Sequence, residues 1–234
     1  VFVYFKTDGS QARMADAQKA SGHVVITIAI SEPYGLAKEF YRWEYATAIA
    51  CAVLKVNAFD QPNVQLSKTI AKEVINTYQK TGKLEEGEPI WENDEAILYG
   101  FKVDAALQAA DLRSLLLAYA ETVEENGYIV LSGFIPRLEE NFEYLQSIRA
   151  ELLNAVNKAT ALGFGPRFLH STGQLHKGGP AGGLFIHFTK DAINDFEIPG
   201  EGMSFGTLQR AQALGDLQAL VQKDRRALRV HLKK

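Results

Sequence analysis

The densest group of side chains able to do chemistry lies between Gly163 and Gly183. Glycines and prolines there surround six polar residues that could bind a ligand: His170, Ser171, Thr172, Gln174, His176 and Lys177. Because the backbone polar groups of such a segment are hard to satisfy in an interior, we expect it at the surface. The apolar run Leu184–Phe188 follows and indicates a strand. The polar groups are therefore predicted at the rim of a sheet, where α/β proteins commonly bind ligands.

Sugar chemistry is one use of these groups. The imidazole of His170 can exchange a proton near neutral pH, which the opening of a sugar ring requires. Ser171, Thr172 and Gln174 could hydrogen-bond sugar hydroxyls, or they could cap a helix that begins near Ser171.

Metal and nucleotide binding are less favoured by the same stretch. His170, His176 and His187 are close in sequence, but there is no His-Glu-x-x-His helix and no cysteine pair, and His187 alternates within a strand. The glycines after Lys177 could cradle a phosphate, yet a Walker loop has its lysine after the glycines. We therefore expect neither a metal nor a cofactor.

A second polar pair lies near the start of a predicted helix, Val64–Lys80. Gln61 precedes the helix and Lys68 is placed in its first turn. A lysine there opposes the helix dipole, which favours anions at that end. This placement hints that Lys68 has a role beyond helix stability.

Composition limits the class of protein. With 234 residues, 47% hydrophobic and 23% charged, the chain can bury a full core. A net charge of -3 without a long basic run argues against nucleic acid as a partner. The single Cys51 cannot form an internal disulfide, and no stretch approaches the roughly 18 to 20 apolar residues of a membrane span. A cytoplasmic protein is expected.

Strands and helices alternate along the chain, which predicts an α/β fold: a three-layer αβα sandwich with a mainly parallel sheet. The predicted strands are Val1–Phe5, His23–Ile30, Tyr128–Phe134, Leu184–Thr189 and Ala227–Leu232. The predicted helices are Gln11–Ala20, Pro33–Val56, Val64–Lys80, Ala105–Asn126, Arg137–Thr160 and Thr207–Gln222. Residues 81–92, rich in Gly and Glu, form the best linker, so we predict domains at 1–82 and 83–234.

Two motifs resemble a known family. Phe59 to Lys68 is similar to the Phe-Asp-Gln-x-x-Val-x-x-x-Lys signature of phosphoglucose isomerases, which are built from sugar isomerase (SIS) domains. Phe168 to Gln174 resembles the Leu-His-Ser-x-Gly-Gln segment of bacterial members. Nearly the whole chain resembles the C-terminal region of bifunctional transaldolase/phosphoglucose isomerase fusions. The resemblance implies that Lys68 and His170 are catalytic and that Gln61 contacts substrate.

The order of the motifs departs from the family. Its histidine segment normally precedes its lysine segment, whereas here His170 follows Lys68. The resemblance therefore implies an SIS-like fold that is permuted or partly duplicated. The family's catalytic glutamate and its phosphate-gripping Ser/Thr loop have no match, and the chain opens on Val1 within a strand. We expect the missing parts in upstream isomerase and transaldolase domains of a longer polypeptide.

The expected function is therefore part of a glucose-6-phosphate isomerase, inactive alone, with a sugar phosphate as substrate. Ser171, Thr172, Gln174, His176 and Lys177 are predicted to bind that substrate. A homodimer is a further candidate assembly. The alternative is a non-catalytic SIS-like module that binds a sugar phosphate or packs against the rest of a fusion enzyme. Transaldolase chemistry is disfavoured because it needs a complete (β/α) barrel.

Overall fold

The computed structural model describes residues 1–101 and 111–233 and has an α/β architecture. Its contacts divide the chain into two compact units, Val1–Asp60 and Gln61–Lys234. The boundary predicted after residue 82 differs from this division. Helix α3 (Pro62–Thr81) packs extensively along helix α7 (Phe205–Gln222), and this contact holds α3 within the second unit.

The first unit is a strand–helix–strand motif followed by a long helix. It comprises β1 (Phe2–Lys6), α1 (Ala12–Ala20), β2 (Val25–Ala29) and α2 (Pro33–Leu54), all four of which were predicted. β1 and β2 are parallel, with Phe2 opposite Val25. The interpretation of β2 as a strand covered on both faces is wrong, because among the described residues it belongs to a two-stranded sheet and several of its side chains are exposed.

The second unit contains a six-stranded mixed sheet in the order β3-β4-β8-β7-β5-β6. Its strands are β3 (Trp91–Glu92), β4 (Ala96–Phe101), β5 (Tyr128–Phe134), β6 (Ala159–Phe164), β7 (Gly183–Lys190) and β8 (Arg226–Leu232). β5 to β8 are parallel, whereas β3 and β4 are antiparallel additions. The sheet is thus mainly parallel, as predicted, although β3, β4 and β6 were not expected.

Helices cover both faces of this sheet. α4 (Leu112–Glu121) and α5 (Glu139–Val156) pack with Ile129 and Leu131 on one face, while α7 packs on the other and α3 lies against α7. The second unit is therefore the predicted three-layer αβα sandwich. Of the helix predicted over residues 105–126, the structure shows α4. The first predicted residues, 105–110, lie outside the described residues.

The helix predicted to reach Thr160 ends earlier. Asn157 adopts a left-handed conformation with φ 50° and caps α5, after which the chain enters β6 beside β5. At the other end of the chain, β7, α7 and β8 form a parallel strand–helix–strand motif like that of β1, α1 and β2. Among the described residues, no helix has the length and apolar character needed to span a membrane.

Candidate functional site

The candidate site depends on close packing between α3 and α7. Ala71 on α3 meets Gly215 on α7, where an added Cβ would lie only 2.8 Å from the Ala71 backbone nitrogen. Both positions are small, so the two helix backbones approach closely. This contact fixes which side chains of α3 face Leu208 and Gln212 of α7.

A short 3-10 turn, Arg167–His170, forms the next wall of the site. Phe168 is buried and packs edge-on against Phe134, with ring centroids 5.7 Å apart. A Cβ at Gly165 would lie 2.3 Å from the Phe134 ring, so only glycine fits between β6 and the turn. Because Phe168 anchors the turn in the core, His170 two residues later is held at the surface.

A cavity of about 260 Å³ opens between these three elements. We call it the lysine groove, after the two lysines of α3 that line it. Its walls are Val64, Ser67, Lys68, Ala71, Lys72 and Ile75 from α3, Pro166, Leu169 and His170 around the 3-10 turn, and Leu208 and Gln212 from α7. Lys68 and His170, which are distant in sequence, therefore line the same cavity.

The lysine groove is cationic. Lys68, Lys72 and His170 are exposed, and none of them makes an ion pair with another residue in the described ranges. None of the described residues lining the groove is acidic. Apart from Ser67 and Gln212, the other lining residues are apolar, so an anion bound here would meet unpaired positive charge beside a weakly polar surface.

Lys68 was predicted in the first turn of its helix, opposing the helix dipole, and this prediction is wrong. α3 begins at Pro62, which occupies the favoured first helical position, and Gln61 is its N-cap. Lys68 therefore lies in the second turn, beyond the part of the helix where the dipole acts strongly. The evidence for a role comes instead from the cavity and from the lack of a counter-charge.

Four other predicted substrate-binding residues do not line the lysine groove. Gln61 is exposed at the start of α3, and its side chain makes no cap bond. The hydroxyl of Ser171 donates to the Phe168 carbonyl at 3.2 Å. Thr172 precedes α6 (Gly173–Gly178) without capping it, and Gln174 is half-buried. None of the four lines the cavity that Lys68 and His170 share.

His176 and Lys177 were predicted to bind substrate at the surface, and the predicted surface position is wrong. Both are buried on α6, because Lys177 makes an ion pair with Asp216 of α7 and His176 packs between the rings of Phe168 and Phe185. The side chains of Lys177 and Asp216 are each only 1% exposed. In this structure Lys177 links α6 to α7.

His187 of β7 completes what we call the buried ion cluster: Lys177, His187 and Asp216. The Nε2 atom of His187 lies 3.4 Å from Asp216 Oδ2. Burial lowers the pKa of His187 to about 4, and the nearby Asp216 carboxylate only partly opposes this effect. Burial likewise lowers the pKa of His176 to about 4. Both imidazoles are thus neutral at pH 7, and the paired charges of the cluster are Lys177 and Asp216.

A second ionic group holds the predicted linker against the sheet. Glu86 accepts from Arg229 of β8 at 3.0 Å and also pairs with Arg210 of α7. Burial alone would raise the pKa of Glu86, but the guanidinium groups of Arg229 and Arg210 outweigh it and hold that pKa below its ordinary value. The linker is thus fixed to the second unit by Arg229, whose side chain is fully buried.

Two larger cavities lie at the carboxyl edge of the sheet, at the end of β7. One, of about 500 Å³, is lined by Lys83, Asp191 and Arg210 among others, and the second, of about 550 Å³, includes Glu95 and Asn141. Lys190 lines both. Unlike the lysine groove, each mixes acidic with basic side chains, and neither contains a predicted catalytic residue. Among the described residues there is no group of three or more metal-ligating side chains.

Comparisons with known proteins give no family assignment. No protein-family model and no curated protein matches the sequence. Among solved structures, a match is the crystal structure of hypothetical protein TT0462 from Thermus thermophilus, with 16% identity and a TM-score of 0.45. The match covers 98% of this chain and 51% of that chain, so this chain spans about half the length of that protein.

Three polar residues that line the lysine groove were not predicted from the sequence. Lys72 follows Lys68 by four positions, a spacing that places both on one helix face and could have drawn attention to it. Gln212 and Ser67 carried no such signal, since exposed helices commonly contain both residue types. Asp216 of the neighbouring ion cluster could have been noticed as an acidic residue within an Ala- and Leu-rich helix, but its partner was not evident.

Proposed function

We propose that this chain supplies part of the active site of a glucose-6-phosphate isomerase, within a longer polypeptide that also carries transaldolase. One observation carries the proposal: Lys68 and His170, identified by separate motifs, line one cavity of about 260 Å³. The two motifs of the isomerase resemblance thus meet at the same place. This volume is just below the roughly 300 Å³ of the smallest usual ligand pockets, which fits a site that another domain completes.

The proposed chemistry begins with ring opening. Lys68 and His170 act as the acid and base that move a proton between the ring oxygen and the C1 hydroxyl of glucose 6-phosphate. Lys68 then offsets negative charge on the enediolate oxygen as the proton moves between C1 and C2. No carboxylate of the described residues lines the lysine groove, so the base for that transfer, a glutamate, comes from the upstream isomerase domain. Gln61 lies outside the groove at the start of α3, so its contact with substrate hydroxyls rests on the family resemblance alone.

The test is kinetic and uses the longer polypeptide. Lys68→Ala and His170→Ala should each lower kcat/KM for fructose 6-phosphate by roughly 10²- to 10⁴-fold, the usual contribution of a general acid or base. Lys80→Ala is the matched control, because Lys80 is exposed on the same helix but does not line the groove. Unchanged turnover in both groove variants would contradict the proposal, as would fast isomerisation by the 234 residues alone.

The second candidate is a module that binds a sugar phosphate without catalysis. The absence of any carboxylate among the described residues lining the groove favours it. Calorimetry separates the two, since a catalytic Lys68 or His170 can be removed with loss of turnover while substrate affinity is retained. If both variants lose affinity and the longer enzyme keeps its kcat, the groove is a binding site only.

A further inference from the structure

Lys72 is a cation of the lysine groove that the proposed chemistry leaves without a task. It lies four residues after Lys68, so both lysines lie on one face of α3, with their Cα atoms about 6 Å apart along the helix axis. Among the described residues neither has an acidic partner. Like charges at this spacing destabilise a helix, so helix stability does not account for the pair.

The walls around Lys72 favour an anion with a compact body. Ile75, Leu208 and Leu169 are apolar, while Ser67 and Gln212 offer neutral polar groups, and no acid of the described ranges lines the groove. Beside such walls a charge interaction is stronger than in open water. A hexose 6-phosphate carries its reacting carbons and its charged phosphate at opposite ends, so one lysine can contact the phosphate while the other acts at the reacting carbons.

We propose that Lys72 binds the phosphate group of the substrate, which leaves Lys68 to act at the reacting end. This assignment rests on the proposed function for the identity of the sugar, but the anion site itself rests on the charge of the groove. The contact would add to the phosphate-gripping Ser/Thr loop expected in the upstream isomerase domain and would not replace that loop. A neutral sugar should bind poorly, because it gains nothing from Lys72.

The experiment is calorimetry on the 234-residue chain with inorganic phosphate, fructose 6-phosphate and fructose as probes. The chain should bind both phosphates and bind fructose far more weakly. Lys72→Ala should weaken binding of both phosphates by about tenfold or more, as expected for the loss of one charged hydrogen bond. Lys72→Arg should retain most of the affinity, and Lys80→Ala should retain all of it.

Thermal unfolding distinguishes a binding role from a structural one. Lys72→Ala should have an unchanged or higher Tm, because it removes a repulsive neighbour of Lys68. Wild-type phosphate affinity in Lys72→Ala would overturn the assignment, as would equal losses in Lys80→Ala or a chain that binds no phosphate. Its failure is separable from that of the proposed function: loss of turnover in Lys68→Ala with full phosphate affinity in Lys72→Ala would refute only the phosphate site.

Discussion

Lysine and histidine side chains come together twice in the second unit, in opposite surroundings. In the lysine groove, Lys68 and His170 are exposed and have no acidic partner within the described ranges. In the buried ion cluster, Lys177 and His187 are enclosed with Asp216. α7 contributes to both places, with Gln212 in the groove and Asp216 in the cluster.

The difference between them lies in the counter-charge. A buried lysine is tolerated only with an ionic partner, so Lys177 and Asp216 depend on each other and hold α6 against α7. Lys68 has no such partner among the described residues and remains in solvent, so its charge is available to a ligand. Lysine and histidine thus stabilise the fold in the buried ion cluster, whereas in our proposal they bind the ligand in the lysine groove. Changes to the two regions should have opposite consequences.

The largest effect is expected from Asp216→Ala. This change leaves the ammonium group of Lys177 buried without its partner, so the free energy of unfolding should fall by about 3–5 kcal/mol. Urea denaturation followed by circular dichroism measures it. The double variant Lys177→Met, Asp216→Leu is the control and should recover much of the loss, because it removes both charges. A loss below about 0.5 kcal/mol in the single variant would contradict the role given to the pair.

A slightly smaller loss of folding stability is expected when the pH is lowered. In the unfolded chain His187 takes up a proton near its ordinary pKa of 6.5, whereas burial keeps its pKa at about 4 in the fold, where it faces Asp216, Lys177, His176 and Arg229. Acid therefore favours the unfolded chain. The stability present above pH 6.5 should decline by about 3 kcal/mol from this residue as the pH falls toward 4.

Denaturation at several pH values tests this prediction. His187→Gln should show a shallower loss of stability between pH 6.5 and pH 4 than the parent chain. Some slope will remain, because the pKa of His176 is also lowered by burial and its protonation acts in the same direction. Identical slopes in the variant and the parent would show that His187 does not contribute.

The smallest change in folding stability is expected from a substitution in the lysine groove. Lys68→Ala removes an exposed side chain without an ionic partner among the described residues, so the free energy of unfolding should change by no more than about 0.5 kcal/mol. Alanine is also the better helix former. A loss comparable to that of Asp216→Ala would mean that Lys68 is structural and would remove the distinction between the two regions.

Much of the fold could be predicted, because apolar runs such as Leu184–Phe188 signal buried strands and Asn or Gly residues mark the ends of helices. β6 was missed because Ala159 to Leu162 reads as the continuation of α5, and only the left-handed Asn157 ends that helix. Of the site, Lys68 and His170 came from the family resemblance. The burial of Lys177 could not be predicted, since its partner Asp216 is distant in sequence and is brought close only by packing.

A ligand should bind in the lysine groove and not at the buried ion cluster. An NMR titration of the isotopically labelled chain with fructose 6-phosphate tests it directly. We expect saturable shifts at Lys68, Lys72 and His170 with the same affinity, while the signals of His187 and Asp216 stay nearly constant. Shifts at only one wall of the groove, or shifts centred on the cluster or on Lys190 at the end of β7, would contradict it.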